Sequence, residues 1–324
     1  CDWSSDVCSS DLSSPAARQK SALTCPCPCP GRAGRRCATR PNSRGFLKSS
    51  TSSFRITCKA ENRAAMKLSI NHSQTLLTLI RAGDARVDGV EWVDKLPLSL
   101  IVETRALFPD LAFHFHPGRM HRTRTWLTKL QDYLRACPQS PHISVHLAPL
   151  PWLWTNAAMR RGWVLPGPPP QASVRGFIRD VKWLQGKLSL PVILENMPAL
   201  HPSRYLFESD QSVIVDVLAE TGCNLLLDLA HARIAAQARG IEPETYLSGL
   251  PLEKTAQIHL AGVRAAWDGR LFDAHETLSE EDYKLLEWTL ARTQPAWLTL
   301  EYFREDARAV LDQLRRLQAY TRHP

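Results

Sequence analysis

The sequence predicts a single α/β domain folded as a (β/α)8 barrel, and three observations predict it. From Met66 onward, short apolar runs alternate with longer segments of helical period, which is how βα units around a parallel sheet read in sequence. Eight such runs can be counted, the number that closes a barrel. A polar residue stands at or near the end of each: Asn71, Glu91, His116, His146, Glu195, Asp228, His259 and Glu301. In a barrel of parallel strands those ends converge on the one rim where active sites are built.

The first run, KLSIN (residues 67 to 71), is followed by the helical pattern QTLLTLIRAG. VDGVEW (87 to 92) and LAFHFH (111 to 116) come next, then the amphipathic TWLTKLQDYLRAC. HISVHL (142 to 147) precedes VRGFIRDVKWLQGKL, and PVILEN (191 to 196) precedes SVIVDVLAETG. In CNLLLDL (223 to 229), Leu225 to Leu227 suit a strand covered on both faces, with Asp228 where the wall reaches the mouth. TAQIHLA (255 to 261), the helical YKLLEWTLART, AWLTLEY (296 to 302) and a closing AVLDQLRRLQAY complete the set.

Ahead of this domain, residues 1 to 65 lack helical or strand periodicity and are rich in Ser, Pro, Arg and Cys. CDWSSDVCSSDL at the start resembles a translated sequencing-adapter oligonucleotide, so residues 1 to 65 are expected to be a non-native or disordered tail. The expected enzyme domain is residues 66 to 324, with Met66 as a natural start. A signal peptide would need an apolar stretch that the tail lacks. The Cys-Pro alternation of Cys25, Cys27, Cys29 and Cys37 does not match the spacing of a zinc knuckle.

The tail carries 11 Lys and Arg against 4 Asp and Glu, so seven of the eight net positive charges lie in it. The remainder is near neutral, which argues against a nucleic-acid surface. Seven of the nine cysteines are also in the tail, leaving Cys137 and Cys223; two isolated cysteines fit a reducing, cytoplasmic compartment without disulfides. No apolar run approaches 18 residues, so no membrane span is expected.

A second polar cluster, FDAHE, places Asp273 and His275 two residues apart, on one side of an extended segment. With His231, three residues past Asp228, the rim collects five histidines (His116, His146, His231, His259, His275) and four carboxylates (Glu195, Asp228, Asp273, Glu301). That donor mixture suits iron, zinc or manganese; magnesium or calcium would want oxygen almost throughout. One ion takes three or four protein ligands, so nine donors imply two or three ions, with Glu195 bridging. Four carboxylates in one mouth would repel without cations. Singly, each residue has a plainer reading, a structural histidine or a helix N-cap; the metal reading rests on the set. His72, His114, His121, His142, His201 and His323 keep that plainer reading. His114 shares a face with His116 and could support it, while Asn71, Glu91 and Asn196 are rim groups for substrate or ligand support. Arg264 and Arg304 stand where they could assist an anionic substrate, although a solvated arginine is the commoner case.

The order His, His, Glu, Asp-x-x-His, His, Asp-x-His, Glu on successive strands resembles the superfamily of xylose-isomerase-like barrels that includes the endonuclease IV type of repair nuclease. The local wording, ILENMP, LLLDLAHARIAAQARGIEPETYLSGLP, IHLAGVR, FDAHE and LTLEYF, resembles more closely the multinuclear non-heme iron-dependent oxidative enzymes. That resemblance covers nearly all of residues 67 to 305. It implies that His116, His146, Glu195, Asp228, His231, His259, Asp273, His275 and Glu301 hold the irons. Glu195, Asp228 and His259 would be central to catalysis. It further implies use of O2 to oxidise cysteines of a ribosomally made peptide or a small thiol, with a partner protein delivering the peptide. The chain departs from the commonest family pattern after the strand-six Asp: LAHARIAA stands where many members are Asn-rich.

Two other activities compete with this reading. A zinc- or manganese-dependent hydrolase or nuclease would activate water, and a sugar isomerase or epimerase would use Glu195 and Glu301 for proton transfer. A non-catalytic scaffold has no need of nine donors. The Trp- and Pro-rich stretch PWLWTNAAMRRGWVLPGPPP (151 to 170) is a candidate lid or peptide-docking loop, or equally an ordered packing loop.

Overall fold

The computed structural model describes residues 65–93, 95–149, 169–199 and 207–321. The tail, all but the last two residues of the 151 to 170 loop, His201 and His323 lie outside them.

Eight parallel strands close on themselves: β1 (Lys67–Asn71), β2 (Gly89–Val93), β3 (Ala112–His116), β4 (Ile143–His146), β5 (Val192–Glu195), β6 (Asn224–Asp228), β7 (Thr255–Ala265) and β9 (Trp297–Glu301). β1 pairs with both β2 and β9, and β6 pairs with both β5 and β7, so no barrel strand is left with a free edge. Each run starts or ends within two residues of its expected position, with one exception. β7 continues past residue 261 to Ala265, and its extension pairs antiparallel with a ninth strand, β8 (Leu271–Glu276). FDAHE therefore lies on the second strand of a hairpin, an extended segment as expected.

Helices cover the outside: α1 (Gln74–Ala82), α2 (Leu98–Leu107), α3 (Arg124–Ala136), α4 (Pro170–Gln185), α5 (Gln211–Thr221), α6 (Leu229–Arg239), α7 (Pro243–Ser248), α8 (Glu280–Leu290) and α9 (Ala307–Thr321). Local chemistry sets their ends. Ser73 accepts from the Leu76 amide to start α1, and Ser279 with Asp282 forms a reciprocal capping box on α8. Leu225, Leu226 and Leu227 are fully buried wall residues, as the triple leucine predicts. The chain then turns into α6 at once, because Asp228 serves as its N-cap: one carboxylate oxygen accepts from the His231 amide at 2.7 Å. That turn puts His231 in the first turn of α6, facing back to the rim.

The strand register aligns the polar ends. Cα partners across the ladder include His146 with Glu195, Asp228 with His259, and Ala261 with Glu301.

Candidate metal centre

All nine rim residues converge on one mouth. His116 and His146 both point Nε2 at one oxygen of Glu195, each at 3.2 Å, and these two nitrogens are themselves 3.2 Å apart. The other Glu195 oxygen faces His231 Nδ1 at 3.4 Å and His259 Nδ1 at 3.8 Å. Glu301 repeats the pattern, with Oε1 at 3.3 Å from His259 Nδ1 and Oε2 at 3.2 Å from His275 Nε2. Asp273 Oδ2 lies 3.1 Å from His275 Nε2 and 3.5 Å from His231 Nε2. Four groups of donors follow: His116, His146 and Glu195; Glu195, Asp228 and His259; Asp273, His275 and Glu301; and, beneath the mouth, Glu91, His114 and His259. Within each, one donor atom per residue lies within 4.8 Å of the others. Donors about 3.0–3.4 Å apart form an edge of a coordination polyhedron with metal–ligand bonds near 2.1 Å.

Three of these donor atoms, Glu195 Oε2, Asp228 Oδ2 and His259 Nδ1, are buried without a hydrogen bond of acceptable geometry, as are the second polar atoms of two other rim residues, Asp273 Oδ1 and His275 Nδ1. Buried polar groups are otherwise almost always satisfied, so a cluster of orphans calls for a partner such as an ion. Asp228 divides its two oxygens: Oδ1 caps α6 and Oδ2 is left for the mouth.

Electrostatics give the same account. Burial raises the Asp228 carboxyl, and the charges of Glu195, Asp273 and Glu301 carry it to about 7 despite His231. Glu195 and Glu301 are held well below the usual carboxylate range against burial, Glu195 by His146 and His116, and Glu301 by His259 and His275. Burial opposes a charge on His231, yet Asp228, Asp273 and Glu195 push it up to about 10. His259 and His275 are raised for similar reasons. His116 is lowered to about 4 by burial, and His146 is lowered too. The acids thus favour positive charge on His231, His259 and His275, in a place that suits a cation. Orphaned donors, mixed imidazole and carboxylate ligands, and uncompensated acids all fit bound metal ions.

The hairpin that supplies Asp273 and His275 is held by close backbone contact. A Cβ on Gly262 would come 2.5 Å from the Glu276 carbonyl oxygen, so only glycine lets β8 fold this tightly onto β7. The register shifts beside Gly262, and His275 adopts a left-handed φ of 48°. That conformation costs a non-glycine residue roughly 1–2 kcal/mol and turns the ring onto the Asp273 and Glu301 carboxylates.

The supporting residues divide in kind. Asn196 clasps Asp228 through both backbone atoms, accepting from its amide at 2.8 Å and donating to its carbonyl at 3.0 Å. Asn71 accepts from the Tyr302 amide at 2.6 Å, fixing the chain just beyond Glu301. Glu91 lies fully buried beneath the mouth against His259 Nε2 at 2.8 Å and His114 Nδ1 at 2.9 Å. Arg264 and Arg304 are half-exposed and both pair with Glu276, so their charge is shared with an acid. His142 is buried against Gln257 at 2.6 Å, His72 packs on Trp92, and His121 stands by Trp126. Ser144 and Gln257, which touch these histidines from within the barrel, were not among the expected site residues. Their signal was alternation: His142, Ser144 and His146, like Gln257 and His259, recur at the two-residue spacing of one strand face.

Known proteins bear on this site. Among solved structures, the 3-keto-D-glucoside 4-epimerase YcjR from E. coli is similar in fold, with a TM-score of 0.52 at 16% identity, covering 78% of this chain and 99% of the epimerase. A UPF0276 protein of Paraburkholderia phytofirmans is 32% identical over 149 residues, 43% of this chain and 47% of the relative. Another from Bordetella pertussis is 34% identical over 140 residues, 40% and 47% respectively. The chain thus spans about half the length of these curated relatives. The family model for the RiPP precursor modification enzymes MbnB/TglH/ChrH matches residues 118–320, which take in every one of the nine rim donors except His116. On that match, over more than half its length, the chain belongs to the MbnB/TglH/ChrH family of RiPP precursor modification enzymes, built here on a (β/α)8 barrel.

Proposed function

We propose that residues 66 to 324 form an iron-dependent oxidative enzyme that uses O2 to modify a cysteine-containing precursor peptide or thiol. The observation that carries this reading is the disposition of Glu195, whose two oxygens face two different pairs of histidines. A carboxylate placed so is suited to bridge two ions, and Glu301 repeats the arrangement between His259 and His275. His116, His146, Glu195, Asp228, His231, His259, Asp273, His275 and Glu301 would hold two or three ions, with Glu195, Asp228 and His259 at their centre.

Iron bound there would supply the redox chemistry and lower the pKa of a substrate thiol. The chain's own part is to hold the donors rigid on strand ends, keep water out with a buried mouth, and present Arg264 and Arg304 at the rim. Membership of a family of RiPP precursor modification enzymes supports a peptide as substrate, and we assign its delivery to a partner protein. Two buried free cysteines fit a reducing, cytoplasmic setting, and among the described residues no helix is long and apolar enough to cross a membrane.

The test is O2 consumption by anaerobically purified, iron-loaded protein when cysteine-containing peptides are added. Peptide-dependent uptake with a mass change on the cysteine supports the reading. A zinc-loaded protein that hydrolyses phosphoesters or interconverts sugars without O2 would replace it.

A further inference from the structure

Beneath the mouth, the interior of the barrel is unusually polar. The layers inside such barrels are mostly branched aliphatic residues, yet Glu91, His114, Ser144, Gln257 and Thr299 fill this one, each 4% exposed or less. Glu91, His114 and Ser144 make a continuous chain of close polar contacts between two of the rim histidines. Glu91 Oε2 lies 2.8 Å from His259 Nε2 and 2.9 Å from His114 Nδ1. His114 Nε2 lies 2.9 Å from the Ser144 hydroxyl, which lies 2.6 Å from His116 Nδ1.

One acceptor-only group at one position dictates every proton in that chain. A carboxylate can only accept, so His259 Nε2 and His114 Nδ1 both carry hydrogen and donate to Glu91. With its hydrogen on Nδ1, His114 presents Nε2 as the acceptor of the Ser144 hydroxyl. Ser144, having donated, accepts from His116 Nδ1–H. The Gln257 amide nitrogen also approaches His259 Nε2, at 2.9 Å, and His114 Nδ1, at 3.3 Å, but its two hydrogens have oxygen acceptors in Thr299 at 2.8 Å and Glu91 at 3.3 Å. His259 Nε2 is therefore free to donate to Glu91.

We propose that Glu91, acting through His114 and Ser144, is a positioning residue that fixes the tautomers of His116 and His259 in opposite senses. His116 then offers the lone pair of Nε2 to the mouth and His259 offers that of Nδ1, the atoms that face the rim carboxylates. A single buried acid would thereby prepare ligands of two different donor groups, one of them from about three hydrogen bonds away. Partners of this kind set ligand orientation and basicity at metal sites. The inference rests on the reading that the mouth holds metal ions.

The test uses the full chain, labelled with 15N-histidine and loaded with zinc as a diamagnetic probe. Long-range 1H–15N spectra report which nitrogen of each ring carries hydrogen, and a competing chelator reports zinc retention. The wild type should show His116 protonated at Nδ1 and His259 at Nε2. Ser144→Ala should free the His116 Nδ1–H to exchange with solvent. It should also weaken zinc retention at the His116, His146 and Glu195 group by about 10- to 100-fold, leaving the His259 Nε2–H unmoved. Ser144→Thr, which keeps a hydroxyl, should restore both. Glu91→Gln should disturb the signals of both histidines, and a melting curve shows whether each variant is folded. Protonation of the opposite nitrogen on either ring, or a folded Ser144→Ala with wild-type His116 signals and zinc retention, overturns the inference alone. A wild type that retains no zinc or iron overturns it together with the proposed function.

Discussion

Replacing Asp228 by Asn should stabilise the metal-free protein and destabilise the metal-loaded one. Asp228 is fully buried, and burial with the charges of Glu195, Asp273 and Glu301 lifts its carboxyl from 3.8 to about 7. A group whose folded pKa exceeds its unfolded value binds more protons in the fold, so metal-free stability falls as pH rises from about 4 through 7. At about 1.4 kcal/mol per unit, the full penalty near neutral pH is roughly 4 kcal/mol. Removing the charge also takes a partner from His231 at 3.8 Å, so the net gain should lie between about 1 and 4 kcal/mol. Asn keeps the cap on α6, because its side-chain oxygen can still accept from the His231 amide. For a domain of this size the gain corresponds to a rise in Tm of roughly 2–16 °C in chelator at pH 7.5, vanishing below about pH 4. With iron or zinc in excess the order should reverse, since the wild type gains ligand-binding stabilisation that the variant loses in part. Differential scanning calorimetry with and without metal reads both signs. A variant less stable than wild type in chelator, or equally stabilised by metal, would refute the reasoning.

Other outcomes follow from the same geometry. Gly262→Ala forces its Cβ against the Glu276 and Thr277 carbonyls, so the hairpin must shift; metal analysis should show partial loss of bound ions while the far-UV circular dichroism spectrum of the barrel persists. Leu227→Ala empties a fully buried wall position in the core, which should cost about 2–5 kcal/mol and lower Tm by roughly 5–20 °C without altering metal content. Cys137 is buried and its thiol is pushed up to about 11, so iodoacetamide should leave it unmodified at pH 8 in the native protein and label it readily in denaturant.

The barrel was legible because closure imposes repetition: each strand is covered by helices on one face, so its outer residues must be apolar, and its end must meet the common rim. The convergence of His116, His146, Glu195, Asp228, His259 and Glu301 on one mouth was legible for the same reason, since strand ends are fixed by those runs. The hairpin was harder to see. The Gly262 to Ala265 stretch is not an apolar run, and the pairing of β7 with β8 is local to the mouth and not dictated by the core. Its turn did leave a mark in Asp268-Gly269, where Gly269 takes a φ of 80°. The polar interior was partly hidden because His114, His142, Ser144 and Gln257 sit inside runs that otherwise read as apolar wall. Which of a strand's two faces points inward depends on register, and register is a property of the neighbouring strands. Asp228 fits both of its readings because its two oxygens differ: Oδ1 caps α6, while Oδ2 has no hydrogen-bond partner and stays available to the mouth.

The most direct measurement is the metal content of anaerobically purified protein by inductively coupled plasma mass spectrometry, paired with Mössbauer spectroscopy. The account predicts two or three irons per chain in more than one coordination environment, reduced together by Glu195→Gln. One ion or none per chain, or a full complement that survives loss of the Glu195 charge, would contradict it.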